Sequence, residues 1–154
     1  MKVLIVYDSL FGNTHQIAEA VQEGFQKNNE IKLFHVSKMP ADSRDWPDLL
    51  VVGTPTHGGH STGPVKNFIS SLPGHALVDK FVAAFDTSIP SEGQGTFVKL
   101  IIRVFKNAAP RLLKELCSKG GREIGYEIFW VKDKEGPLKD GESERAKKMG
   151  RRFK

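Results

Sequence analysis

The chain has 154 residues, 39% hydrophobic and 27% charged, which suits one globular domain with a substantial core and excludes a disordered or fibrous chain. Its formal net charge of +5 is uneven: residues 1–77 hold 6 Lys/Arg against 7 Asp/Glu, and residues 78–154 hold 17 against 11. No apolar run approaches the roughly 20 residues that span a bilayer, and no basic run is interleaved with aromatics as nucleic-acid stacking requires.

Lys2–Tyr7 is continuously apolar after its first residue, as a strand buried on both faces should be; Val3–Tyr7 is too short for a signal-peptide core. Ile17, Val21 and Phe25 recur at helical spacing and predict a first helix with one apolar face. Ile31–Val36 reads as the second strand, Trp46-Pro47 ends an irregular stretch, and Asp48–Gly53 is the third strand. Pro64–Ser71 is a short helix with proline near its start, where the missing N–H costs least. Phe81–Phe85 is the fourth strand.

Thr96–Lys106 is amphipathic, with Lys99, Arg103 and Lys106 at helical spacing on an otherwise apolar segment. Three readings stay open for it: a cover over neighbouring loops, a dimer interface, or an interfacial membrane segment. Asn107 is a helix N-cap, Pro110 lies in the first turn, and Arg111–Lys119 runs to a Gly120-Gly121 stop. The single cysteine, Cys117, allows no internal disulfide, suits a reducing, cytoplasmic compartment, and reads as a small buried hydrophobe. Ile124–Trp130 is an edge strand, and Glu142–Phe153 closes the chain as a helix. Strands alternating with helices predict an α/β fold: a doubly wound, five-stranded parallel sheet with helices on both faces and right-handed crossovers.

The first strand runs directly into Asp8, Ser9, Leu10, Phe11, Gly12, Asn13 and Thr14, where the helix begins. A helix N-terminus offers unpaired N–H groups and the positive end of the helix dipole to an anion. Ser9, Asn13 and Thr14 can add side-chain donors, and Gly12 permits a tight turn. The loop has neither Lys nor Arg, and the chain has no GxxxxGK[ST] motif, so a phosphomonoester suits it better than a nucleoside triphosphate with Mg²⁺. The stretch Ile5–Val21 resembles the flavodoxin phosphate loop over its whole length, and the resemblance extends over nearly the whole chain, including Gly136-Pro137-Leu138 and Gly141-Glu142.

That resemblance implies strand order 2-1-3-4-5, with ligands at the point where the order reverses, between the first and third strands. It implies flavin mononucleotide (FMN) as cofactor, with the phosphate on Ser9–Thr14 and the isoalloxazine ring beside Thr54, Pro55, Thr56, His57, Gly58 and Gly59. Gly58 and Gly59 either let a peptide rotate toward flavin N5 or form an ordinary turn. By the same resemblance Asp86, Thr87 and Ser88 would border the other side of the flavin. No aromatic lies between Phe85 and Phe97, and the second loop lacks Trp and Tyr, a departure from carriers that stack an aromatic on the ring.

His57 and His60, without nearby cysteine or carboxylate, make a poor zinc site; His57 either faces a substrate or is silent. His15, His35 and His75 read as structural. Three functions follow: an FMN electron carrier whose basic half selects an acidic redox protein, an NAD(P)H:quinone oxidoreductase, or an interaction module without flavin.

Overall fold

The computed structural model describes residues 1–25, 27–40, 47–90, 95–97, 99–100 and 107–153. In chain order these form β1 (Lys2–Tyr7), α1 (Asn13–Gly24), β2 (Glu30–His35), a 3₁₀ turn (Val36–Lys38), β3 (Leu49–Pro55), α2 (Gly63–Ser71), β4 (Phe81–Ser88), α3 (Ala108–Ser118), β5 (Arg122–Trp130) and α4 (Glu142–Arg152). The five strands make one parallel sheet in the order β2-β1-β3-β4-β5, as the resemblance implied.

Side-chain alternation along the strands divides the core. Val3, Ile5 and Tyr7 face one side with Ile17, Ala18 and Val21 of α1 and Ala146 and Met149 of α4. Leu4 and Val6 face the other, with Val65 and Ile69 of α2 and Leu112 and Leu116 of α3. β1 and β3 are buried almost throughout, while the outermost strands, β2 and β5, are half-exposed.

Several boundaries differ from the sequence reading, each for a reason visible in the ladder. β3 continues past Gly53 to Pro55, and β4 past Phe85 to Ser88, because Thr54 pairs with Asp86 and Pro55 with Thr87. Asp86–Ser88, expected in a loop, therefore end a strand. β2 begins at Glu30 and ends at His35, whose ring accepts the Ser37 N–H and starts the 3₁₀ turn, so Val36 leaves the strand. β5 begins two residues early, at Arg122, with Gly125 at φ +132° beside a register shift at Val82/Ala83.

Asn107 sits at the N-cap of α3 as expected, but its side chain makes no cap. It donates to Ser88 Oγ at 2.8 Å, and Asp86 Oδ2 takes the capping role by accepting the Ala109 N–H at 2.7 Å. Cys117 is half-buried, with Sγ 3.9 Å from Glu123 Oε2, so it is less enclosed than a core residue. Most of the amphipathic segment falls outside the described residues; of the part described, Phe97 and Leu100 are exposed.

α1 and α4 cross at two glycines. A Cβ on Gly24 would overlap the Lys147 carbonyl, and one on Gly150 would overlap that of Val21. The close crossing seats α1, and with it the loop at its N-terminus, on the sheet.

Candidate functional site

All four parallel pairs present their C-terminal ends on one edge of the sheet, and the segments that follow β1, β3, β4 and β5 converge there. The order reverses at β1/β3, the position where open α/β sheets hold ligands. A cleft of about 480 Å³ opens there, within the range of small-molecule sites.

The first loop leaves β1 as the Asp8 N–H donates to Gly53 O at 3.1 Å. Asp8 is buried; its Oδ1 accepts the Ser9 N–H at 2.9 Å and lies 3.1 Å from His35 Nε2. The Ser37 N–H donates to His35 Nδ1 at 3.2 Å, so the neutral ring carries its proton on Nε2, facing Asp8. Ser9 Oγ accepts from the Gly12 N–H at 3.1 Å and the His15 N–H at 3.3 Å, which curls the loop. Gly12, at φ +90°, turns the chain into α1 at an angle most L residues avoid.

Among the described residues, the backbone N–H groups of Leu10, Phe11, Asn13 and Thr14 have no acceptor in the protein. These are the unpaired donors that a helix start leaves open, and here they gather around one turn. Ser9 Oγ shapes the loop by accepting two N–H groups, which leaves its own hydroxyl proton available to a ligand. Thr14 Oγ1 lies 2.8 Å from Thr87 Oγ1, and the Asn13 amide donates to Glu135 O at 3.1 Å.

The second loop is a defined two-residue turn. His57 and His60 exchange backbone hydrogen bonds at 2.9 and 3.1 Å, with Gly58 and Gly59 at φ +57° and +76° between them. The Arg111 guanidinium donates to His60 Nε2 at 2.9 Å, fixing that end of the turn against α3. Thr54 is wholly buried; its Oγ1 accepts the Thr62 N–H at 3.1 Å and ties the end of the loop to its start.

Beneath the cleft lies a polar knot. Ser88 Oγ is 2.7 Å from Asp86 Oδ1 and 2.8 Å from Thr56 Oγ1. It owns one proton, and the carboxylate is the stronger acceptor, so the Thr56 hydroxyl supplies the proton of the second bond. Thr56 Oγ1 in turn accepts the Ala108 N–H at 3.2 Å. Burial pushes the Asp86 carboxyl above its ordinary value of 3.8, against the downward pull of these donors.

The sign of the resulting pH dependence follows. The folded chain protonates Asp86 more readily than the unfolded one, so this group's contribution falls as pH rises from about 3.8 through the raised folded-state value. Asp86→Asn keeps an acceptor for Ala109 and removes the titration. The thermal midpoint of the parent chain minus that of Asp86→Asn, followed from roughly pH 3.5 to about 7, should decrease with pH. A flat or increasing difference contradicts the assignment.

Of the residues expected at the site, Leu10, Phe11, Asn13, Thr14, Pro55, Thr56, His57, Gly58, Gly59, Thr87 and Ser88 line the cleft. Ser9, Gly12, Thr54 and Asp86 stand behind it. Four further residues line it that the sequence reading did not assign: Ile89, Asn107, Val131 and Lys134. The last two follow β5, and the rule that ligands sit at C-terminal strand ends could have pointed to them. Leu10, Phe11, Pro55, Ile89 and Val131 make apolar walls, and no Tyr or Trp lines the cleft among the described residues. Open amides at one end and apolar walls beyond fit a flat ring carrying an anionic tail, as FMN does.

Comparison with known proteins agrees with this geometry. A flavodoxin from Aquifex aeolicus is 28% identical over 170 residues, covering 99% of this chain and 84% of its own length. The NAD(P)H dehydrogenase (quinone) of Geobacter sulfurreducens is 28% identical over 123 residues, and this chain spans only 61% of that protein. The crystal structure of oxidised flavodoxin 1 from Bacillus cereus superposes with a TM-score of 0.73 at 18% identity, over 97% of this chain and 95% of that one. The flavodoxin family model matches residues 5–144, and the chain belongs to the flavodoxin family.

Proposed function

We propose that the cleft binds FMN and that the chain passes electrons between protein partners through it. The reading is carried by the four unpartnered amides at the α1 N-terminus, which open into an apolar-walled cleft at the switch point. The amides of Leu10, Phe11, Asn13 and Thr14 would hold the phosphate, and the Pro55–Gly59 turn and Ile89 would border the ring. FMN supplies one- and two-electron chemistry at its ring. The chain's own part is to orient that ring, shed water from its faces with Leu10, Phe11 and Val131, and present backbone groups of the Gly58-Gly59 turn to its edge. The basic second half favours an acidic redox partner, and the one cysteine suits work in the cytoplasm.

FMN at a hundredfold its dissociation constant should add about 2.7 kcal/mol to stability and raise the thermal midpoint by roughly 5–10 °C. It should lose its fluorescence as it binds. No shift and no quenching would leave the interaction-module reading standing. The similarity to quinone dehydrogenases supports a second reading, with exposed His57 at the cleft mouth facing a substrate. Rapid bleaching of bound FMN by NADPH or NADH alone selects that reading, and persistence of the yellow colour selects the carrier.

A further inference from the structure

The phosphate loop contributes amides and no positive charge; the one charged side chain from Asp8 to Thr14 is Asp8 itself. A bound phosphomonoester adds about −1.5 to −2 charges there. The cleft nevertheless contains a cation, Lys134, brought by the segment that follows β5.

That segment is built rather than loose. Val131 and Leu138 form an antiparallel bridge across its base. The Gly136 N–H bonds Asp133 O at 2.9 Å, and the Asp133 carboxylate accepts the Lys134 N–H at 2.7 Å. The tip is tied to the phosphate loop by the bond from Asn13 Nδ2 to Glu135 O. Gly136, at φ +101°, approaches so closely that a Cβ there would overlap the Asn13 amide. Lys134 thereby lines the same cleft as Asn13 and Thr14 and is the only Lys or Arg lining it among the described residues. Lys132 is ion-paired with Asp140 at 3.6 Å, whereas Lys134 has no ion pair among the described residues.

We propose that Lys134 supplies the positive charge missing from the phosphate loop, meeting the phosphomonoester from across the cleft and selecting FMN over riboflavin. The inference rests on the FMN reading, and the experiment separates the two. Wild type, Lys134→Gln and Lys134→Arg are titrated with FMN and with riboflavin, following flavin fluorescence at low and high NaCl. Lys134→Gln should weaken FMN about tenfold, the scale of one charge-assisted hydrogen bond, and leave riboflavin within about twofold. Salt should narrow the gap between wild type and Lys134→Gln for FMN, and Lys134→Arg should recover most of the affinity. Unchanged FMN binding by Lys134→Gln, or equal losses for both flavins, overturns the assignment of Lys134 alone. A wild type that binds neither flavin overturns the FMN reading and this one with it.

Discussion

Gly150→Ala should destabilise the chain by about 3 kcal/mol, lowering its thermal midpoint by roughly 6–12 °C. Two effects oppose each other at this position. Alanine is a better helix former than glycine by about 1 kcal/mol, which alone would stabilise α4. The new methyl, however, overlaps the carbonyl of Val21 and crowds the backbone of Gly24. Both obstacles are main chain of α1, which cannot rotate away as a flexible side chain could, so the two helices must separate. Separation opens the core between Val21, Ala146 and Met149, all wholly buried. Gly74→Ala is the control, because open space surrounds that position. A Gly150→Ala midpoint within about 1 °C of the parent chain would show that the crossing is looser than described.

The double variant Ser9→Ala with Thr14→Val should lose about a hundredfold in FMN affinity while riboflavin binding changes by less than about threefold. Removing Ser9 Oγ strips the acceptor from the Gly12 and His15 N–H groups, and the curl that gathers the open amides relaxes. Valine at 14 keeps the shape of threonine but leaves buried Thr87 Oγ1 without its partner. Riboflavin presents no phosphate to the loop, so the difference between the two flavins isolates the anion contact. Thr14→Ser, which retains the hydroxyl, should restore most of its share. Isothermal titration with both ligands provides the measurement, and parallel losses for FMN and riboflavin would place the phosphate elsewhere.

The sheet was legible because β1 and β3 are apolar on both faces, and its strand order followed from the resemblance carried by the first loop. Strand ends were harder. Asp86, Thr87 and Ser88 look like loop residues by composition, yet the ladder to Thr54 and Pro55 carries β4 through them. Polar residues persist in that strand because Asp86 and Ser88 are satisfied at the start of α3 and Thr87 by Thr14 of α1, partnerships no local pattern reveals. Ser9 was read as a ligand donor from its type alone; its place between two backbone N–H groups depends on the curl of the folded loop. Lys134 was invisible for a different reason. It lies 120 residues after Thr14 in the chain, and only the course of the segment after β5, tied down by Asn13, brings them to one cleft.

The glycine kink in β5 has a consequence for how copies of this chain meet in a crowded solution. A flat outer strand is an invitation for a neighbour to dock its own main chain and extend the sheet without limit. Here the outermost ribbon begins Arg122-Glu123, carries Glu127 farther along, and is interrupted at Gly125, where the spacing of its outward amides is broken. The opposite border, β2, offers Glu30, Lys32 and His35. Neither margin offers an uncharged, unbroken rail for zippering, so open-ended extension of the sheet is disfavoured at both borders.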